Sequence, residues 1–156
     1  VIVVDIAAQV NLMQTIGLPG GNSTVETTIR GAHVADDNWM TDFFRAADTF
    51  SVPNLLAWFA DGVEVRFGNA PPIQGKAAAE QAFQQFYGGL KGMRHRCESQ
   101  VIAGDLGAQM SIVTYTRSDG SEVSMPVASH LRRVGEKQID RLWIFIDLAP
   151  LFAAAA

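Results

Sequence analysis

From Trp39 onward, apolar residues recur at helical spacing. Trp39, Phe43, Phe44, Ala47 and Phe50 form one apolar face, and Asp36 or Asp37 stands where a helix cap is needed. Ser51 offers a second cap, with Pro53 in the first turn, where its missing N–H does no harm. Leu55, Leu56, Trp58 and Phe59 then predict a short buried helix that Asp61-Gly62 stops. Val63, Val65 and Phe67 alternate with Glu64 and Arg66, the pattern of a strand with one buried face. A turn-rich loop over residues 68–75 contains Pro71-Pro72, and residues 76–87 read as an alanine- and glutamine-rich helix ended by Gly88-Gly89.

After Gly92 the period changes from helical to alternating. Residues 93–103, 109–117, 123–133 and 139–148 read as strands, and Gly104-Asp105, Asp119-Gly120 and Gly135-Glu136 supply the turns between them. Helices followed by an antiparallel meander give an α+β domain in which a curved sheet wraps around three N-terminal helices. We place this domain at residues 36–152. Residues 1–35 differ: an apolar stretch, the loop signal Pro19-Gly20-Gly21-Asn22-Ser23, then β-branched alternation over residues 24–29. They read as an N-terminal arm, either packed on the domain or on a second subunit, or poorly ordered as chain ends often are.

Composition narrows the function classes. The chain has 156 residues, 48% hydrophobic and 18% charged, enough for one domain with a full core and no disulfide or metal staple. Its net charge of −4 argues against nucleic acid as a partner, since phosphate binding needs a basic face. The strand arginines 94, 96, 132, 133 and 141 are interleaved with Glu98, Glu122, Glu136 and Asp140, a mixture that suits a solvated surface or a subunit contact. One cysteine, Cys97, and histidines at 33, 95 and 130 have no metal-ligand spacing, so neither a metal nor a cofactor is expected. In the first eighteen residues no Lys or Arg precedes the apolar stretch, and Asp5, Gln9, Asn11 and Gln14 interrupt it. A signal peptide and a membrane span are therefore not expected, and we read the protein as cytoplasmic.

Two stretches of text carry a family resemblance. "LLAWFADGVEVRFGNAPPIQGKAAAEQAF" resembles the hallmark of the nuclear transport factor 2-like superfamily, and "MPVASHLRR…IDRLWIFIDLAPLF" resembles the closing strands of its SnoaL-like branch. The resemblance covers about residues 36–152. It implies a curved, mixed but mainly antiparallel sheet closed on the helices as a cone-shaped α+β barrel. It also implies a cavity for a small apolar molecule and a homodimer through the sheet's outer face, which Trp143 and Phe145 would favour. The catalytic sets of the best-known branches do not carry over. The tyrosine, base and acid of ketosteroid isomerases fall on Phe43, Phe67 and Ser129. The arginine and two aspartates of limonene-type epoxide hydrolases fall on Met110, Ile112 and Ile144. The acid of the polyketide cyclases falls near Ser129.

Phased by those positions, strand alternation implies a cavity lined by Phe43, Val63, Val65, Phe67, Phe83, Met93, His95, Cys97, Met110, Ile112, Thr114, Val127, Ser129, Ile144 and Ile146. Trp58, Phe86 and Tyr87 add aromatic surface near the helices. Such a lining suits a terpenoid, steroid-like or polyketide-like ligand held by a few polar groups. His95 is the candidate general acid/base, because imidazole alone titrates near neutrality without help. No carboxylate partner for it is visible along the chain, so a buried histidine bonded to a backbone carbonyl is the competing reading. Ser129 or Thr114 would hydrogen-bond a substrate oxygen, with Ser129 otherwise a small polar wall residue. Three functions stay open: a cyclase, isomerase or hydrolase acting in the cavity, a non-catalytic binder or carrier, and a dimeric interaction module.

Overall fold

In the computed structural model, which describes residues 38–153, two short helices lead into a six-stranded sheet. Helix α1 (Trp39–Asp48) buries Trp39, Met40, Phe43, Phe44 and Ala47, the i, i+1, i+4, i+5, i+8 stripe that a helix needs to face a core. It ends two residues before Phe50, whose φ of 55° puts a bulky side chain in the left-handed region and turns the chain. Helix α2 (Val52–Leu56) starts at Ser51, whose hydroxyl accepts the Asn54 N–H at 3.4 Å. The expected caps Asp36 and Asp37, His33 and the arm over residues 1–35 lie outside the described residues.

Strand β1 (Phe59–Phe67) corrects the expected second helix. Trp58 and Phe59 do not continue α2, because the backbone of β6 recruits them: Ile139 N–H donates to Trp58 O at 2.6 Å, and Phe59 pairs with Ile139 in parallel. A register shift between Phe59 and Glu64 absorbs Asp61-Gly62, so the dipeptide interrupts a strand and does not end a helix. The short β2 (Ile73–Gln74) pairs with β1, and helix α3 (Lys76–Gly88) buries Ala79, Phe83 and Tyr87. Strands β3 (Leu90–Ala103), β4 (Leu106–Arg117), β5 (Glu122–Val134) and β6 (Gln138–Ile146) form the expected antiparallel meander.

The sheet order is β2-β1-β6-β5-β4-β3, with β1–β6 the parallel pair, and the whole is the α+β cone read from the sequence. One core packs α1, α2 and α3 onto β1, β5 and β6. A second, smaller cluster at the other end joins Val113, Tyr115, Met125 and Val127 to Leu151. Leu151 belongs to the short α4 (Ala149–Phe152). The Arg117 guanidinium holds that turn in place by donating to Pro150 O at 2.6 Å and Leu151 O at 3.0 Å. Gly107 is required for the other end to close. A methyl there would overlap Met40 Sδ and stand 2.9 Å from Met40 Cγ and 3.1 Å from Trp39 Cζ2. Among the described residues, no helix is long and apolar enough to cross a membrane.

Candidate active site

The helices and the inner face of the sheet bound a small, largely apolar cavity of about 40 Å³ that opens at its mouth. Its aromatic and aliphatic lining suits a small apolar ligand. Phe43, Phe44 and Ala47 of α1, Leu55 of α2 and Phe67 of β1 line one side. Phe83, Phe86 and Tyr87 of α3 stand at another, and the sheet contributes Met93, His95, Tyr115, Val127, Ser129, Leu142 and Ile144.

Of the residues expected from sequence, the cavity brings together Phe43, Phe67, Phe83, Phe86, Tyr87, Met93, His95, Val127, Ser129 and Ile144. Met110, Ile112 and Thr114 do not join them. Met110 is 52% exposed, Ile112 pairs with Pro126 across β5, and the Thr114 hydroxyl lies 2.8 Å from Ser124 on the outer face. The inward residues of β4 are instead Gly107, Gln109, Ser111, Val113 and Tyr115.

The cause is the β4–β5 register, which sets Gln109 opposite Ser129 and Ser111 opposite Val127 and so turns the odd-numbered side chains of β4 inward. The turn at Gly104-Asp105 pairs Ala103 with Leu106, and that register, run without a break, would set His95 opposite Thr114. A shift between Cys97 and Ser99 takes up one residue, so His95 faces Val113 and joins the odd-numbered inner face of β4. Cys97 itself, at the bulge on the edge strand, is exposed and leaves the lining. Trp58 sits behind the wall, edge-on to Phe43 at 5.9 Å, and Ile146 packs into the cluster around Leu151.

His95 has the carboxylate partner that the sequence did not reveal. Asp48, the last residue of α1, receives the His95 backbone N–H on both oxygens, at 3.1 and 3.0 Å. His95 Nδ1 stands 2.6 Å from Asp48 Oδ1. An ionised carboxylate only accepts, so Nδ1 is the donor, and in the neutral imidazole the lone pair is then on Nε2. Among the described residues, Nε2 has no protein hydrogen bond. Phe44 packs edge-on against the imidazole at 5.0 Å and fixes its plane.

Two features that the sequence reading passed over mark Asp48. It lies one turn beyond Phe44, hence on the cavity face of α1. It is also an acid at a helix C-terminus, where the macrodipole disfavours negative charge. Three hydrogen bonds from His95 offset that cost.

Ser129 is buried on the inner face, opposite Gln109 on β4 and Ile144 on β6. It is two strands from His95 and four residues further along β4's register, roughly 14 Å along the strand direction. The two line one cavity but form no Ser–His pair. Gln109 Nε2 donates to Ser111 Oγ at 2.6 Å, which makes a polar strip beside Ser129.

Tyr87, expected from the sequence, and Tyr115, which the sequence did not mark, both line the cavity. Burial, reinforced by the Asp48 charge and for Tyr87 also by Tyr115, holds both phenols above the usual tyrosine range. On the outer face, Arg94 pairs with Glu122 at 2.6 Å, Arg96 with Glu98 at 3.0 Å and Arg132 with Asp140 at 2.7 Å, which leaves no continuous basic track along these strands. Among the described residues, no three His, Cys, Asp or Glu side chains converge as a metal site.

Comparison with known proteins agrees with this architecture. The SnoaL-like domain matches residues 40–141. No curated protein matches the sequence. Among solved structures, a protein assigned to the SnoaL-like polyketide cyclases from Shewanella denitrificans OS-217 superposes with a TM-score of 0.65 at 10% identity, over 74% of this chain and 93% of its own. The epoxide hydrolase/cyclase-like enzyme SalBIII, which has a role in pyran ring formation in the polyether salinomycin, gives 0.63 at 14% identity, over 71% and 89%. An NTF2-like protein of unknown function from Burkholderia pseudomallei K96243 gives 0.63 at 12%, over 73% and 92%.

Proposed function

The chain belongs to the SnoaL-like domain family, and from that premise we propose that it binds a small apolar molecule in the cone and acts on it by proton transfer, with His95 as general acid/base. The observation that carries this reading is the Asp48–His95 pair at the cavity wall. A carboxylate that fixes the imidazole tautomer and leaves Nε2 free towards an apolar space is the arrangement general-base chemistry requires. It is a poor arrangement for a core histidine, whose second nitrogen would need a partner. Cyclisation, isomerisation and hydrolysis all begin or end with such a transfer. Ser129, on the far wall, supports a role in orienting a substrate oxygen.

The cavity is tested by a thermal-shift screen of terpenoids, steroids, small epoxides and polyketide esters. A compound that occupies it at 100 times its Kd should stabilise the fold by about 2.7 kcal/mol. A related series of stabilising apolar compounds, turned over by the protein, supports the enzyme reading. Binding without turnover moves the assignment to a carrier, and no stabilisation at all removes the cavity from the function.

A homodimer through the sheet's outer face is part of the same proposal. Met110, Ala128 and Phe145 form one cross-strand row there, with Met110 52% and Phe145 49% exposed. Phe145→Asp should shift the protein from dimer to monomer by light scattering while cavity binding persists. A monomeric parent protein, or a dimeric variant, contradicts this interface. The cytoplasm is the proposed compartment, where the exposed Cys97 thiol stays reduced.

A further inference from the structure

We propose that α4 occupies a ligand site of its own chain: the cavity takes an apolar carboxylic acid, whose ring body displaces Leu151 and whose carboxylate replaces the α4 carbonyls on Arg117. The site rests on the reading of the cone as a ligand cavity; it does not depend on His95 acting as a base.

The inner face of β4 carries one cation. Its row runs Gly107, Gln109, Ser111, Val113, Tyr115 and Arg117, so the guanidinium stands two residues beyond a ring that lines the cavity. A partly buried arginine ordinarily finds an anion. Among the described residues, the hydrogen-bond partners of Arg117 are all neutral. Nε donates to Leu151 O at 3.0 Å, Nη2 to Pro150 O at 2.6 Å and Ala153 O at 3.5 Å, and Nη1 to Ser121 Oγ at 3.2 Å. Asp119 feels the guanidinium only through space, and its Oδ1 accepts the Ser121 N–H and hydroxyl at 2.8 and 2.7 Å. The carbonyl oxygens on Nε and Nη2 thus stand where an arginine fork receives the two oxygens of a carboxylate.

The same turn fills one end of the cavity. Leu151 is buried in one cluster with Tyr115 and Val127, which both line the cavity. Phe86, Met93 and Ile144, also of the lining, pack against that cluster.

With Leu151 in place the cavity measures about 40 Å³, against the about 150 Å³ that admits benzene. A ring system therefore needs room that some element must vacate. Of the four helices, α4 is held least: Leu151 is its one buried residue, and Ala149, Pro150 and Phe152 are exposed. Helices α1 and α3 are anchored by five and three buried residues. The turn that moves at least cost is thus the one that fills the site.

The chemistry of the exchange selects the ligand. A carboxylate offers the fork two charged acceptors where α4 offers two neutral ones, and the charge-assisted bonds are stronger. The body must be apolar, because the lining it enters is aromatic and aliphatic. Arg117 lies four residues along β4 from Val113, the register partner of His95, roughly 14 Å along the strand direction. The ligand's charge is thereby kept away from Asp48.

The test uses the full chain with 2-naphthylacetic acid and its neutral counterpart 2-naphthylacetamide, with affinities from calorimetry. The wild type should bind the acid about tenfold more tightly than the amide. Arg117→Gln should abolish that preference. Leu151→Ala should keep it and tighten both compounds about tenfold, because the room then exists beforehand. A second readout needs no substitution. The Leu151 and Ala153 N–H groups are closed onto Leu148 O and Ala149 O at 3.0 and 3.1 Å, and acid binding to the wild type should speed their hydrogen exchange about tenfold by NMR. An acid preference that survives Arg117→Gln, affinities unmoved by Leu151→Ala, or α4 N–H groups protected by the acid each overturn the site. Binding of both compounds without preference overturns the acid site and leaves the cavity reading standing. If neither compound binds the wild type or Leu151→Ala, the cavity reading falls and the acid site falls with it.

Discussion

Turnover by His95→Gln should fall by about 10²–10⁴-fold in kcat/KM, with the fold and the affinity for unreactive ligands retained. Glutamine keeps a polar side chain that can still reach Asp48, but its amide nitrogen has no lone pair to take a proton. The imidazole is therefore removed as a base without emptying its place beside Phe44. Unchanged turnover in this variant takes His95 out of the mechanism. Asp48→Asn separates the positioning role from the chemical one. Asparagine still accepts through its carbonyl oxygen, but its NH₂ group can donate to Nδ1 and so favour the opposite tautomer, with the proton on Nε2. We expect kcat to fall with little change in KM, and the ¹⁵N signature of the His95 ring to switch from the Nδ1–H to the Nε2–H form. A loss of activity with the ring's tautomer unchanged assigns Asp48 to holding α1 against β3 and nothing more.

Phe59→Ala should cost about 3–5 kcal/mol of stability, the largest effect expected for a single core substitution here. Phe59 is fully buried and sits behind the cavity, with its ring 6.5 Å from Phe43 and 5.9 Å from Phe83. Both of those residues line the ligand space, so the void left by the ring opens directly behind the wall. The cost therefore combines lost burial with a cavity that α1 and α3 fill only by moving together. Urea denaturation measures it. A loss below about 1 kcal/mol means the two helices collapse onto β1, and ligand affinity should then change as well, because the wall has moved.

Much of this was legible in the chain, for identifiable reasons. The stripe Trp39–Phe43–Phe44–Ala47 is helical in period and became α1. The four alternating runs after Gly92 became β3 to β6, because glycine-bearing turns separate them at hairpin spacing. What failed was local in each case. Trp58 and Phe59 fit either a helix or a strand by composition, and the decision came from Ile139, eighty residues on, which pairs with them in parallel. Met110, Ile112 and Thr114 were given the wrong face because β4 was phased by family positions, whereas its pairing with β5 sets Gln109 and Ser111 beside Ser129 and Val127.

By itself, then, the sequence determined the element types, their order, the apolar character of the interior and the SnoaL-like class, since each is written in periods of a few residues. It also marked His95 as the histidine of interest on a strand. The tertiary structure decided which side of β4 faces the ligand. It also decided that His95 has a partner in Asp48, forty-seven residues earlier. These depend on register and helix placement, which are set by long-range pairing and packing.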